Sequence, residues 1–183
     1  YFKNLKRKYG KGRERKTEIR IFDDIVAKRV AIANQKLYVN REEGFVGTGL
    51  KRDEYVCDCS DLDDIIIFRN DGFMKVVKVD SKVYVGKDII HIAIFKKNDK
   101  RTVYNMIYRD GRQGNSYMKR INVTSITREK DYDLTQGNKM SKVLYFTPNP
   151  NGEAEIVTVH LKSLQSLKKL KFDIDFADLA IKG

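Results

Sequence analysis

The hydrophobic pattern changes period along this chain. Over residues 2–9, FKNLKRKY, Phe2 and Leu5 lie one helical turn apart among basic residues. This predicts the end of a helix, with Gly10 and Gly12 as its stop signal. A helix that short is not stable alone in water, so it is expected to be the tail of a longer one. From Ile19 onward the period is two. Ile19 and Ile21 alternate with Arg20, and Val30 and Ile32 alternate with alanines. Short β-branched and aromatic runs then recur between Asn, Asp and Gly, and the two prolines, Pro148 and Pro150, share one loop. Many short antiparallel strands are predicted.

These runs repeat. Residues 63–79, DDIIIFRNDGFMKVVKV, read as a strand, an Asn-Asp-Gly turn and a second strand. Residues 101–123 repeat the arrangement around a longer glycine-containing turn, and residues 141–159 repeat it around Pro-Asn-Gly. Residues 28–40 look like a shorter copy with Asn34 and Gln35 at the tip. Ile65 to Val103 is 38 positions and Val103 to Val143 is 40. A period near 40 with two to four strands per unit fits propeller blades, and Asp-Gly between alternating hydrophobics is a strong hairpin signal. The expected fold is all-β and propeller-like, with about four blades of antiparallel strands after the end of a helix. Leu161, Leu164, Leu167 and Leu170 recur every three residues and predict a helical turn or two. Phe172, Ile174 and Phe176 alternate with Asp173 and Asp175 as a strand would, and a further blade is expected to open at residues 180–183.

At 183 residues the chain holds one domain or two small ones, enough to bury roughly two-thirds of its unfolded surface. It begins at Tyr1 rather than Met and is expected to be a piece of a longer protein. No signal peptide and no membrane-length apolar run occurs in the sequence, so a soluble, cytoplasmic protein is expected. The net charge of +12 favours an acidic partner. Nucleic acid is preferred over membrane, because the basic residues do not lie along a long amphipathic helix. Cys57 and Cys59 would share one face of a strand, an awkward disulfide geometry, so a reduced protein is expected.

The charge is uneven. Residues 1–20 hold nine basic and two acidic residues, 21–64 hold six against ten, and 65–142 hold seventeen against eight. Two basic regions therefore flank an acidic one. Within 65–142 the candidate DNA-binding residues are Arg69, Lys75, Lys78, Lys96, Lys97, Lys100, Arg101, Arg109, Arg112, Lys119, Arg120, Arg128, Lys130, Lys139 and Lys142, mostly at turn edges or polar strand positions. The bland reading of each is a solubilising surface. As a set they would form a rim that contacts phosphates with little sequence information and favours easily bent DNA.

Little else invites chemistry. His91 and His160 sit in strand-like runs and read as structural or surface residues. Cys57 and Cys59 lack the further ligands a zinc site needs. Asp61, Asp63 and Asp64 read as a turn before a strand. Tyr104, Tyr108 and Tyr117 have no base and no acidic metal-binding set around them, so they read as strand residues.

One segment carries a family resemblance. Tyr9, Gly10, Arg15, Lys16, Thr17, Glu18 and Ile19 resemble the linker between the cleavage core and the C-terminal domain of bacterial gyrase and topoisomerase IV A subunits. Residues 63–79 are similar to that family's blade core. The resemblance implies a linker over residues 1–17, containing the helix end, and a DNA-binding β-pinwheel over 18–183, cut short at its C-terminal end. In such a pinwheel neighbouring blades exchange strands and bend DNA, largely independent of sequence. It further implies a type IIA topoisomerase parent that dimerises, works with a B subunit carrying ATP, uses Mg2+, and acts at the nucleoid. Its catalytic tyrosine and metal site would lie upstream. Gyrase A subunits carry a glutamine-arginine-arginine-glycine-glycine-arginine-glycine box in the first blade. Here the matching loop, residues 41–49, reads REEGFVGTG. Its acids favour topoisomerase IV, a decatenating and relaxing enzyme, over a gyrase-type wrapping domain. A protein-interaction propeller whose charge serves solubility is the rival of another class.

Overall fold

The computed structural model describes residues 1–10, 34–163 and 168–182. The chain divides into two compact units, Tyr1–Val30 and Ala31–Gly183. In the first, helix α1 spans Phe2–Tyr9. Gly10 ends it with a right-handed backbone (φ −79°, ψ −22°) and donates its N–H to Lys6 O. The left-handed freedom of glycine is therefore not used there. Gly12, the linker match beyond Gly10 and the strand-like positions 19–32 lie outside the described residues.

The second unit is built of strands: β1 (Gln35–Asn40), β2 (Phe45–Gly47), β3 (Glu54–Cys59), β4 (Asp64–Arg69), β5 (Phe73–Lys78), β6 (Val83–Tyr84), β7 (Ile89–Phe95), β8 (Val103–Arg109), β9 (Ser116–Asn122), β10 (Tyr132–Asp133), β11 (Lys142–Asn149), β12 (Ile156–His160), β13 (Lys171–Asp175) and β14 (Ile181–Lys182). They form four sheets, ordered β3-β1-β2-β6, β10-β5-β4-β7, β11-β8-β9-β14 and β12-β13. One rule generates the first three. A hairpin makes the centre, a later strand returns along its first arm, and a two-residue strand from the next unit covers its second arm. Thus β6 follows β5 in the chain but pairs with β2, and β10 follows β9 but pairs with β5. This exchange of strands between successive sheets makes the fold a β-pinwheel. All pairs are antiparallel except β14 with β9.

The unbroken apolar run of β4 follows from its place between two layers. Ile65 and Ile67 pack toward the first sheet with Leu37, Val39, Val46 and Val77. Ile66 and Phe68 pack the other way, with Met74, Val76, Phe95 and Tyr104. With both faces covered, alternation disappears. The turn after β4 is set by Asp71, whose Oδ1 accepts the Phe73 N–H at 3.2 Å, and by Gly72 at φ +86°.

Two expectations fail. Residues 141–159 are not a hairpin: β11 pairs with β8 in the third sheet, and β12 pairs with β13 in the fourth. The 40-residue interval from Val103 to Val143 therefore joins two strands of one sheet and not successive blades. In the leucine run, Leu161 N–H bonds Leu170 O at 2.7 Å and extends the β12–β13 ladder; residues 164–167, where the helical turn is expected, lie outside the described set. Ile181 and Lys182 do not open a new blade but finish the third sheet as β14. Of the copy expected over 28–40, Gln35 already begins β1, and residues 28–33 are outside the described set.

Candidate nucleic-acid interface

Strand register sorts the candidate cations into two ends of the second and third sheets. At one end, Lys78 and Phe95 both stand opposite Asp64, so Lys96 and Lys97 continue directly from that end. The loop carrying Lys100 and Arg101 leads from there into β8, where Asn122 donates to Asp99 O and Thr102 O. At the other end, Arg109 stands opposite both Ser116 and Lys142. Asn70 O accepts the Val143 N–H at 2.8 Å, which brings the matching end of the second sheet alongside. The two ends are separated by the seven residues of β8, about 20 Å at ~3.4 Å per residue.

Not every cation is free to meet a ligand. Arg69 bonds Asp71 at 2.8 Å, Asp131 at 3.2 Å and Val85 O at 3.2 Å, and Lys75 lies 3.4 Å from Asp131. Arg128 holds Asp64 at 2.8 Å. Lys119 donates to Leu134 O, and burial pulls its ammonium pKa down. Arg120 is buried and donates to Gly152 O at 2.9 Å. Lys78, Lys96, Lys97, Lys100, Arg101, Arg112, Lys130, Lys139 and Lys142 are exposed, Lys130 with its ammonium 5.1 Å from the Tyr132 ring centre. Arg109 is half-buried, and its Nε has no hydrogen-bond partner. Two exposed lysines of the same stretch, Lys82 and Lys87, fall outside the candidate set, although their turn positions resemble those of its members. Register thus places most of the exposed candidates in two separated groups, apart from the cations held in internal contacts.

The 41–49 loop is a tight β1–β2 turn followed by β2. Arg41 binds Glu54 through two bonds, 2.7 and 2.8 Å, and donates to Ile89 O. Those bonds hold the Glu54 carboxyl below its ordinary range. Gly44 takes φ +80°, and Glu42 and Glu43 are exposed. The one cation of the loop is thus spent internally.

His91 packs among Phe68, Tyr104 and Phe146, and burial pushes its pKa down to about 4. Cys57 and Cys59 share one face of β3 as free thiols; burial raises both, Cys59 to about 11. Tyr104 and Tyr108 are core residues, while Tyr117 is 39% exposed. Ser60 N–H donates to Asp63 Oδ2 at 2.9 Å, the turn that the acidic cluster predicted. Among the described residues no three His, Cys, Asp or Glu side chains converge on a metal position, and no helix is long and apolar enough to cross a membrane.

The described residues define a β-pinwheel of exchanged strands with basic side chains at the ends of its second and third sheets. Residues 36–183 match the family described as the topoisomerase C-terminal domain of Bacteroidota, so the chain belongs to that family. It is also 28% identical over 144 residues to the A subunit of DNA topoisomerase 4 from Borreliella burgdorferi, covering 78% of this chain. The match spans 22% of that relative's length. No solved structure matches.

Proposed function

We propose that this chain is the DNA-binding and DNA-bending C-terminal domain of a topoisomerase IV A subunit. The observation that carries this reading is the family match over residues 36–183. The excess of basic over acidic residues in 65–142, much of it at exposed turn positions, supports it. The domain captures duplex through phosphates and contributes no catalytic group. The parent, in this reading, dimerises and passes DNA strands with a B subunit that uses ATP, while Mg2+ serves the upstream cleavage core, all in the cytoplasm at the nucleoid. The pinned Arg41 beside Glu42 and Glu43 favours decatenation and relaxation over gyrase-type wrapping.

Fluorescence anisotropy with a duplex at ~50 and ~200 mM salt tests binding, since phosphate contacts lose affinity steeply over that range. Absence of binding at the lower salt rejects the reading. Energy transfer between dyes at the two ends of the duplex tests bending: the ends should approach on binding, and an unchanged distance removes that part.

A further inference from the structure

Resting on the DNA-binding reading, we propose that the main phosphate-contacting surface is the end of the third sheet formed by Arg112, Lys139 and Lys142 beside Arg109. Two separate stretches of chain, 109–112 and 138–142, converge there. Lys142 stands opposite Arg109 across the β11–β8 pair. A side chain at Gly111 would begin 3.7 Å from Lys139 O and 3.6 Å from Asn138 Cβ, so the Lys139 backbone abuts the turn that carries Arg112. Gly111 N–H donates to Ser141 Oγ at 2.9 Å and ties the two turns together. The cations thus project from a fixed backbone and are largely pre-positioned, which lowers the entropy lost on binding.

The acid next to the turn that carries Arg112 is locked inward. Asp110 is the one acid in residues 109–120 and 134–147. Its carboxylate is buried and accepts from Asn138 Nδ2, Ser141 Oγ and Gln136 N. Those bonds, Asn138 first, hold it below its ordinary pKa. It is engaged as a staple and leaves Arg112, Lys139 and Lys142 exposed, with no ion pair to a described residue. Elsewhere the arginines with the best geometry are consumed: Arg41 by Glu54, Arg69 by Asp71 and Asp131, Arg128 by Asp64. The other exposed group, Lys96, Lys97, Lys100 and Arg101, lies on one continuous loop around a half-buried Asp99, at the opposite end of β8.

The test compares three charge-reversed forms of the 183-residue chain by anisotropy on one duplex over a salt series. They are R112E/K139E/K142E, the loop form K96E/K97E/K100E/R101E, and the first-sheet form K36E/K51E/R52E, which matches the corner form in charge change. The corner form should lose at least about tenfold in affinity near 100 mM salt. Its log affinity against log salt should become shallower by two to three, about 0.9 for each phosphate contact removed. The first-sheet form should lose under about threefold, because distant charges are screened at that salt. If corner and first-sheet forms lose equally, net charge alone is at work and the inference fails. If the loop form loses more than the corner form, the main surface lies at the other end of β8, and again the inference fails while DNA binding stands. Failure of the unaltered chain to bind at ~50 mM salt overturns both. Should the corner form not fold by circular dichroism, R112Q/K139Q/K142Q is read in its place against the same slope.

Discussion

Arg128 grips Asp64 from 64 positions away, Nε to Oδ1 at 2.8 Å and Nη2 to Oδ2 at 3.1 Å. It ties the segment before β10 to the first residue of β4. The Asp64 side chain is 10% exposed and that of Arg128 59%, so the pair is anchored at its acidic end and wet at its basic end. Arg128→Ala should therefore destabilise the domain by about 1–3 kcal/mol, since a largely buried carboxylate loses its guanidinium. DNA affinity should change under about twofold. Urea unfolding and anisotropy on the same preparation check both statements. A binding loss as large as that of the corner variant would place Arg128 at the interface.

Arg69 is a stricter clamp. Its guanidinium reaches Asp71 in its own turn, Asp131 ahead of β10, and Val85 O after β6. Three chain segments meet on one planar fork, which an ammonium cannot reproduce. Arg69→Lys should cost about 1–2 kcal/mol despite keeping the charge. Asp131→Asn should cost less, because Asp131 is 43% exposed and Arg69 retains Asp71. Equal midpoints for wild type and Arg69→Lys in denaturant titrations would contradict this.

Gly44 lets the first hairpin meet the second sheet. It sits at φ +80°, and a Cβ there would fall 2.3 Å from Gly86 O and 2.7 Å from Lys87 N, both backbone atoms. Gly44→Ala combines left-handed strain of about 1–2 kcal/mol with an overlap that can be relieved only by moving β6 away from β2. A loss of roughly 2 kcal/mol or more is expected. Amide exchange should accelerate at Val85, whose N–H bonds Gly44 O at 2.9 Å. A variant with unchanged stability and unchanged exchange at Val85 would show that the strand exchange does not depend on this contact.

What was legible in the sequence was local. Asp71-Gly72 announced the β4–β5 hairpin, and the β-branched run after Asp64 announced a strand, because turn chemistry and strand propensity act within a few residues. Partner choice was not local. Pro150, Asn151 and Gly152 look like a hairpin turn, yet they carry the chain from β11 in one sheet toward β12 in the next. Pro148 is tolerated within β11 because β11 is the outer strand of its sheet, with one side free of ladder bonds. The donated strands β6, β10 and β14 are two residues each, too short for any periodicity; only the family resemblance implied the exchange. The same limit applied to the charges. Lys139 and Lys142 carried the same sequence signal as Arg69 and Arg128, and only the acids brought near by folding tell a free cation from a clamped one.

His91 gives the domain a pH dependence with a definite sign. Its ring packs on Phe68, Tyr104 and Phe146, with Phe146 at 5.5 Å between ring centres. Burial first, and repulsion from Arg41 second, lower its pKa from 6.5 to about 4. The folded state therefore disfavours the imidazolium, while the unfolded chain protonates near 6.5. Stability from the neutral ring is complete above that value and falls as pH drops toward 4, by an amount on the order of 3 kcal/mol. Glu155, hydrogen-bonded by Thr147, Asn105 and Tyr145, has its pKa lowered, so its contribution disappears only below the ordinary carboxylate range. Urea titrations from pH ~7.5 to ~4.5 should separate the two. The wild type weakens steadily across that window. His91→Phe, which keeps a ring among the aromatics and removes the proton site, stays nearly flat until the carboxylates titrate. Parallel curves for the two proteins over that window would show that His91 protonation has no part in stability.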